Sequence, residues 1–236
     1  SRLPTNSDNL ILRAVHRLRQ AADLRGRRIP GIQIELLKRI PWEAGLGGGS
    51  SDAAAPLVAV NQLCNAGLTP ADLHQLAAEL GRDINFFLES VPLALCRGRG
   101  EQVIPQPLGR PLWFVLAHPH IGLSTRDVFR TWSLQPVDQS AAAPQQPGEL
   151  LQRLADGVSP LSCLQLYNAL QCPAAQLCPE VRLLLRRLHG YGLTAALSGS
   201  GSACFAWVES ARLARRMARA LRASAPVWTC VACSSV

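Results

Sequence analysis

Apolar residues recur along the chain with two kinds of spacing, and each predicts one kind of secondary structure. Intervals of three and four residues place apolar side chains on one face of a helix, as from Leu10 to Leu18, where Asn6 or Ser7 can provide the cap. The same spacing predicts helices over residues 50–66, 70–80, 149–155, 161–170, 179–189 and 210–223. Alternating or continuously apolar runs predict strands over residues 32–40, 92–96, 112–117 and 227–233, and two more flanking residues 198–202.

Prolines and one polar stretch refine this pattern. Thr69 is a suitable helix cap and Pro70 a suitable first residue, so together they mark a helix start. Pro56 lies beyond the first turn of the helix predicted over residues 50–66, where its ring removes an amide donor, and we expect a kink or a frayed start. Residues 134–148 are poor in large apolar side chains and rich in Gln, Ala and Pro, which predicts a surface loop.

The densest run of glycines lies within residues 41–55, P-W-E-A-G-L-G-G-G-S-S-D-A-A-A. Glycines have no β-carbon, so a ligand can approach the backbone N–H groups of such a loop closely. Ser50 and Ser51 then favour the first turn of a helix, where unpaired amide donors and the positive end of the helix dipole face outward. A glycine turn that leads into a helix start is typical of a phosphate-binding loop.

Three other interpretations of this loop fit the residues less well. A Walker A loop would have a lysine after its last glycine, where Ser50 stands. A dinucleotide-binding fingerprint would need G-x-G-x-x-G spacing at the start of a βαβ unit. A glycine-rich surface turn that binds nothing is disfavoured, because the glycines lie between an apolar strand and an alanine-rich helix.

Composition bounds the class of protein. A chain of 236 residues with 48% apolar and 17% charged residues is a folded globular protein of one or two domains. The net charge is +8, and Lys38 is the only lysine among the basic residues. This charge suits polyanionic small substrates, and a nucleic-acid-binding surface is the weaker interpretation. The oligomeric state is left open by the sequence.

The eight cysteines do not indicate a metal site. Only Cys230 and Cys233 form a C-x-x-C pair, and residues three apart on a predicted strand point to opposite faces. We therefore expect no metal-binding cysteines and a reduced, cytoplasmic protein. No apolar run approaches the roughly 20 residues of a membrane-spanning helix, so we expect no membrane partner.

Four segments, taken in order, resemble the GHMP family of small-molecule kinases. The glycine stretch over residues 41–55 resembles the second family motif, and L-G-R-D-I-N-F-F-L over residues 80–88 resembles the segment that carries the catalytic aspartate. The third segment, H-P-H-I-G-L-S-T over residues 118–125, is followed by Phe129. The fourth, S-G-S-G-S-A-C-F-A over residues 198–206, is similar to the third family motif nearly residue for residue.

The resemblance implies an α+β fold of two domains, which the mixed order of helices and strands permits. It implies an N-terminal domain over residues 1–108, similar to the second domain of ribosomal protein S5 and truncated at its start, and a ferredoxin-like C-terminal domain over residues 109–236. The glycine motif is similar to that of members that phosphorylate a cytidine-bearing alcohol of the non-mevalonate isoprenoid pathway. The partners expected are therefore a small-molecule substrate, ATP and Mg²⁺, with no protein metal site predicted.

The same resemblance assigns candidate site residues. Asp83 would be the catalytic base, since phosphoryl transfer to an alcohol needs a group that orients the hydroxyl and accepts its proton. Thr125 and Phe129 would hold the cytidine end of the substrate, with core packing as the alternative for Phe129. The phosphate-binding residues would be Pro41, Ala44, Gly45, Leu46, Gly47, Gly48, Gly49, Ser50 and Ser51, with Gly199, Ser200 and Gly201 near the phosphates.

The sequence also departs from the family pattern. Asn85 replaces a common proline and Arg82 a usual small residue. An opening P-A-K-I-N-L-like strand, whose lysine assists the aspartate, is absent from this sequence, and we expect Lys38 to serve packing or surface charge instead. Two alternatives therefore stay open: a GHMP kinase for another alcohol, and a truncated relative that binds nucleotide without turnover.

Overall fold

A computed structural model describes residues 4–135, 147–159 and 166–234. Its described elements are mixed helices and antiparallel strands, which confirms the predicted α+β class. The chain divides into two compact units, one of residues 1–38 and 47–105 and the other of residues 39–46 and 106–236. The division places the short segment 39–46 with the second unit, and the predicted domain boundary after residue 108 stays a prediction.

The first unit is a helical layer with a small hairpin. Its elements are α1 (Leu10–Asp23), α2 (Gly48–Leu63), α3 (Pro70–Leu80), α4 (Ile84–Glu89), β1 (Ala94–Arg97) and β2 (Gln102–Pro105). Strands β1 and β2 pair antiparallel, from Ala94 opposite Pro105 to Arg97 opposite Gln102. The buried core of this unit includes Ala14, Leu18, Leu57, Ala77 and Ile84, which come from all four helices.

The second unit is built on a four-stranded antiparallel sheet. Its helices are α5 (Thr125–Ser133), α6 (Pro147–Ala155), α7 (Gln171–Leu177), α8 (Pro179–Gly190) and α9 (Ala211–Ser224). Its strands are β3 (Leu112–His118), β4 (Ala195–Leu197), β5 (Cys204–Val208) and β6 (Trp228–Ser234), in the order β4-β5-β3-β6. Val115 and Ala206 are cross-strand neighbours and share one core cluster with Leu184 of α8 and Leu221 of α9, so both helices cover the same sheet face.

The strand predicted over residues 32–40 is wrong. The described residues contain no ladder that includes this segment, and Leu37 remains 72% exposed. Alternating apolar residues predict which faces a strand would present, but a strand also needs a partner for its backbone hydrogen bonds.

Helix starts and the interior proline also differ in detail. Asn9 caps α1 by accepting from the Ile11 N–H at 2.9 Å, whereas the Asn6 side chain accepts from Asp8 in the preceding turn. Helix α2 begins at Gly48 and continues through Pro56, so the expected frayed start is wrong. Burial of apolar side chains such as Leu57 offsets the hydrogen bond that the proline ring removes.

Several other elements agree with the sequence patterns. Thr69 caps α3 in a capping box with Asp72, and Ser210 caps α9. Strand β2 and helices α4, α5 and α7 were not predicted. Of the helix predicted over residues 161–170, residues 161–165 lie outside the described part of the chain and residues 166–170 are not helical. Most of the predicted loop over residues 134–148 also lies outside the described residues.

Candidate phosphate-binding and catalytic site

The later half of the glycine loop opens α2 in the first unit. Gly47 occupies the N-cap position in the left-handed conformation, at φ +65°, and no side chain caps the helix there. The positive φ favours glycine at this position, and a β-carbon on Gly47 would lie 2.8 Å from Cζ of Phe87 and displace that ring. The amide groups of Gly48, Gly49 and Ser50 form the first turn, where helix geometry provides no acceptor within the helix. This end of α2 can therefore receive an anion.

A partly buried ion pair supports this helix start. The Lys38 ammonium pairs with the carboxylate of Asp52, one turn into α2, and both side chains are largely shielded from solvent. Sequence reasoning missed this partner of Lys38. The pair joins the chain entering the glycine loop to the helix leaving it. The only signal for it was the placement of a lysine and an aspartate on either side of the glycines.

The earlier half of the glycine loop lies in the second unit and is bound to the turn between β4 and β5. The Ser198 hydroxyl donates to the Gly45 carbonyl at 2.8 Å, and the Ala203 N–H donates to the Ala44 carbonyl at 3.0 Å. A β-carbon on Gly45 would collide with the Ser198 carbonyl and lie 2.7 Å from the Gly201 nitrogen. Two glycine motifs that sequence reasoning treated separately are therefore in direct contact.

The turn itself, residues 198–202, is held from two further sides. The Asn168 side-chain amide donates to the carbonyls of Leu197 and Gly199, at 2.9 and 2.8 Å. The buried Ser200 hydroxyl lies 2.9 Å from that of Thr125, the first residue of α5. Asn168 was not among the predicted site residues. The structure thus brings Thr125, Ser200 and the predicted phosphate-near glycines into one group around Gly45.

Phe129 lies one turn further along α5. It is 40% exposed and its ring meets that of Trp132 edge-on, with centroids 6.3 Å apart. The alternative of core packing is therefore wrong for Phe129, whereas Val128 of the same helix is fully buried. The exposed ring, four residues after Thr125, is available to a ligand, and the predicted role of Phe129 in holding the cytidine end of a substrate requires such exposure.

His118 has a structural role in the turn that follows β3. It is buried, and its Nδ1 accepts from the His120 N–H at 3.1 Å. Burial lowers the pKa of the imidazole, and the neighbouring His120 lowers it further, so the neutral ring is favoured. These contacts agree with the preference for turn structure over metal binding or catalysis at His118.

The candidate base, Asp83, lies at the start of α4 in the first unit. Its side chain is exposed and makes no cap hydrogen bond to that helix. Partial burial raises the pKa of the Cys96 thiol, and the negative charge of Asp83 raises it further, which places that charge beside the β1 strand. Phe86 and Phe87 follow in an edge-to-face pair with centroids 5.3 Å apart. The carboxylate is thus accessible to solvent at the start of α4.

The described side chains of the types that commonly bind metals are not clustered. Within residues 4–135, 147–159 and 166–234, no three His, Cys, Asp or Glu side chains come together as a group that could hold a metal ion. The Ser51 hydroxyl donates to the Gly48 carbonyl at 3.0 Å, which leaves its oxygen lone pairs available to a cation. The same described residues form no helix with the length and apolar character to cross a bilayer.

Comparison with known proteins gives consistent matches over both units. Residues 9–88 match the model of the GHMP kinases N terminal domain, and residues 144–227 match that of the GHMP kinases C terminal. A 4-diphosphocytidyl-2-C-methyl-D-erythritol kinase of Moorella thermoacetica is 38% identical over 226 residues, which cover 95% of this chain and 76% of that protein. One of Pelotomaculum thermopropionicum is also 38% identical over 226 residues, covering 93% of this chain and 74% of that protein.

Solved structures show the same similarity. A crystal structure of 4-(cytidine 5'-diphospho)-2C-methyl-D-erythritol kinase matches with a TM-score of 0.78 and 37% identity, over 99% of this chain and 81% of that one. A homoserine kinase from Cytophaga hutchinsonii matches with a TM-score of 0.75 at 22% identity, over 100% of this chain and 79% of that one, and shows the fold alone.

Proposed function

Because the chain belongs to the GHMP kinase family and is a small-molecule kinase, we propose that it transfers the γ-phosphoryl group of ATP to the 2-hydroxyl of 4-diphosphocytidyl-2-C-methyl-D-erythritol. This reaction belongs to the non-mevalonate pathway of isoprenoid biosynthesis. The observation that carries the proposal is the extent of similarity to kinases of that name, 38% identity over 95% of this chain. The family predicted from the four motifs is confirmed by the same matches.

The glycine loop would bind the nucleotide phosphates. The amides of the first turn of α2 face outward without helix acceptors, and the Lys38–Asp52 pair holds that turn in place. In the second unit, the hydrogen bond from Ser198 to the Gly45 carbonyl would order the start of the loop before its ligand binds. A loop already ordered in this way loses less conformational entropy when it binds.

The chemical step would use Asp83 as the base. The substrate 2-hydroxyl oxygen attacks the γ-phosphorus and forms the new P–O bond, while the bond between the γ-phosphorus and the β–γ bridging oxygen breaks and ADP leaves. Asp83 orients the attacking hydroxyl and accepts its proton. The exposed carboxylate at the start of α4 is chemically suited to this role.

Two further parts of the proposal concern the substrate and the metal. Phe129 would stack on the cytosine base, and Thr125, positioned by Ser200, would bind the same end of the substrate. Mg²⁺ would neutralise charge on the ATP phosphates, with either Ser50 or Ser51 as a hydroxyl ligand from the chain. Few protein ligands are needed, since Mg²⁺ in such sites keeps several waters and binds the phosphates directly.

The proposed location is the cytoplasm. Seven described cysteines are free thiols, the state expected in a reducing compartment.

The test measures ATP consumption by this chain with and without 4-diphosphocytidyl-2-C-methyl-D-erythritol, beside a direct ATP-binding titration. We expect turnover that depends on the substrate. Turnover with homoserine or mevalonate instead would identify another GHMP kinase, and ATP binding without turnover of any alcohol would identify a non-catalytic relative.

The role of Asp83 is tested by Asp83→Asn, with Asp23→Asn as the matched control on an exposed carboxylate of the same unit. The amide cannot accept the proton, so we expect Asp83→Asn to lose turnover by about a hundredfold or more while ATP binding is retained. The control should match the wild type. Equal turnover by wild type and Asp83→Asn would refute the assignment of the base.

A further inference from the structure

Asn85 is a buried polar residue two positions after the candidate base. Its side chain is only 4% exposed, in the second position of α4. Its Nδ2 donates to the Glu101 carbonyl at 3.2 Å, and its Oδ1 lies 3.2 Å from Nδ1 of His74 on α3. A carbonyl oxygen can only accept, so the amide nitrogen must face Glu101 and the amide oxygen must face His74. One side chain therefore connects α4 to both α3 and the β1–β2 hairpin.

The connection continues beyond His74. Since Oδ1 of Asn85 can only accept, Nδ1 of His74 must carry a proton to complete that hydrogen bond. The other ring nitrogen, Nε2, lies 3.1 Å from the Glu89 carboxylate at the end of α4. His74 thus contacts α4 at both of its ends, once through Asn85 and once through Glu89. The short helix that begins after Asp83 therefore contacts α3 at two points, and the Glu89 contact is an ion pair only when both ring nitrogens carry protons.

The hairpin on the other side is fixed as well. The Glu101 carboxylate accepts from the Arg99 N–H at 2.7 Å. Hydrogen bonds from the backbone N–H groups of Glu101 and then Arg99, with the nearby arginines, lower the pKa of that carboxyl, so it stays ionised. A β-carbon on Gly100 would lie 3.2 Å from the Arg82 carbonyl, so the turn packs closely against the residue before Asp83. The residues on both sides of Asp83 therefore contact the hairpin. Arg82 does so by close packing against Gly100, and Asn85 by its hydrogen bond to Glu101.

Asp83 needs such support because its own side chain does not cap α4. We propose that Asn85 is a positioning residue for the phosphoryl transfer: its bridge between His74 and Glu101 sets the place of the Asp83 carboxylate. This inference rests on the proposed function, in which Asp83 is the base. Misplacement of a catalytic group by about 1 Å can cost up to a hundredfold in rate, so loss of the bridge should act on kcat.

The test compares Asn85→Ala with Asn61→Ala. Asn61 is a matched control, because its side chain also bridges backbone groups within the first unit, accepting from the Leu68 N–H at 3.1 Å and donating to the Leu68 carbonyl at 2.9 Å. Both variants lose a bridging amide, yet only Asn85 adjoins Asp83. At a temperature where both are folded, we expect Asn85→Ala to lower kcat by about tenfold or more with the KM for ATP unchanged. Asn61→Ala should keep the wild-type kcat.

A second pair of variants tests the bridge from the other side. His74→Asn places an amide donor near the position of Nδ1, whereas His74→Ala removes the donor. We expect His74→Ala to lower kcat several-fold and His74→Asn to restore most of it. This pair decides the question if Asn85→Ala does not fold.

The outcomes separate the two proposals. Wild-type kcat in folded Asn85→Ala, an equal loss in Asn61→Ala, or equal kcat in His74→Ala and His74→Asn would overturn the positioning role. Wild-type turnover by Asp83→Asn would instead overturn the proposed base. A loss in Asp83→Asn together with no loss in Asn85→Ala would leave the base in place and remove only the positioning role.

Discussion

The Ser198 hydroxyl donates a 2.8 Å hydrogen bond to the Gly45 carbonyl, across 153 residues of sequence. The bond joins the start of the glycine loop to the turn between β4 and β5, within one unit. Because Gly45 also packs against the backbone of Gly201, the turn supports the start of the glycine loop. The two motifs therefore depend on each other, and damage to either should disturb the same loop.

Gly45→Ala tests this dependence. The residue has φ +71°, and the added β-carbon would collide with the Ser198 carbonyl, so the substitution combines backbone strain with a clash against backbone atoms. We expect a loss of about 2 kcal/mol or more in unfolding free energy and a loss of ATP binding. Thermal unfolding and an ATP titration measure both effects.

Gly190→Ala is the matched control in the same unit. Gly190 ends α8 without a positive φ, and a β-carbon there would meet nothing within 4 Å. Its stability should be unchanged or slightly raised, by at most about 1 kcal/mol. A Gly45→Ala variant as stable as Gly190→Ala would show that the contacts of Gly45 with Ser198 and Gly201 contribute nothing to the free energy of unfolding.

Local signals predicted much of the fold, because caps and apolar runs act within a few residues. Thr69 and Ser210 cap their helices, β3 follows a continuous apolar run, and β6 follows an apolar run that only Thr229 interrupts. Interactions between distant segments could not be predicted in this way. The segment 32–40 has a strand pattern without a ladder in the described chain, since pairing depends on a partner elsewhere.

The candidate site shows the same difference between local motifs, which could be predicted, and contacts between distant segments, which could not. Each glycine motif could be recognised from its own residues, but their contact through Gly45 and Ser198 could not, because no periodicity relates residues so far apart. The bridge from Asn85 to His74 and Glu101 was equally hidden. In the sequence, Asn85 is only a polar residue beside two phenylalanines, and its burial depends on how α3 and the hairpin pack around it.

Phe129→Leu tests the proposed binding of the cytidine end. Leucine keeps an apolar side chain on α5 but removes the aromatic face, which contributes about 1–3 kcal/mol per stacked base. We expect the KM for the cytidine substrate to rise roughly five- to hundredfold, with the KM for ATP unchanged. Tyr191→Leu is the control, since Tyr191 and Phe129 are both 40% exposed. Equal KM values in the two variants would contradict the assignment.

Leu57→Ala and Leu63→Ala compare two leucines of the same helix. Leu57 is fully buried in the core of the first unit, whereas Leu63 is 85% exposed at the end of α2, although both are apolar positions of the helix predicted over residues 50–66. Truncation at Leu57 leaves a cavity and should lower the free energy of unfolding by about 2–5 kcal/mol. Truncation at Leu63 should change stability by less than about 0.5 kcal/mol. Denaturant unfolding of each variant measures the difference, and similar losses would contradict this view of the helix.

Asp72 should make stability depend on pH. Its carboxylate accepts from the Arg25 guanidinium at 2.7 Å and from the Thr69 N–H at 2.7 Å, and these hydrogen bonds, Arg25 first, hold its pKa well below the usual range. A group whose pKa is lower in the folded state stabilises the protein above its unfolded pKa of about 3.9. That contribution is lost as the pH falls from there toward the folded pKa. Neutral Asp72 would no longer pair with Arg25.

Asp72→Asn isolates this effect, because the amide is nearly isosteric and carries no charge at any pH. We expect the wild type to have the higher melting temperature at pH 7 and the difference to shrink steadily as the pH falls below about 4. Melting curves of both proteins between pH 7 and pH 2 measure it. Asp23→Asn, at an exposed carboxylate of α1, should show no comparable convergence with the wild type. A difference for Asp72→Asn that stays constant over this range would mean that the charge of Asp72 does not stabilise the start of α3.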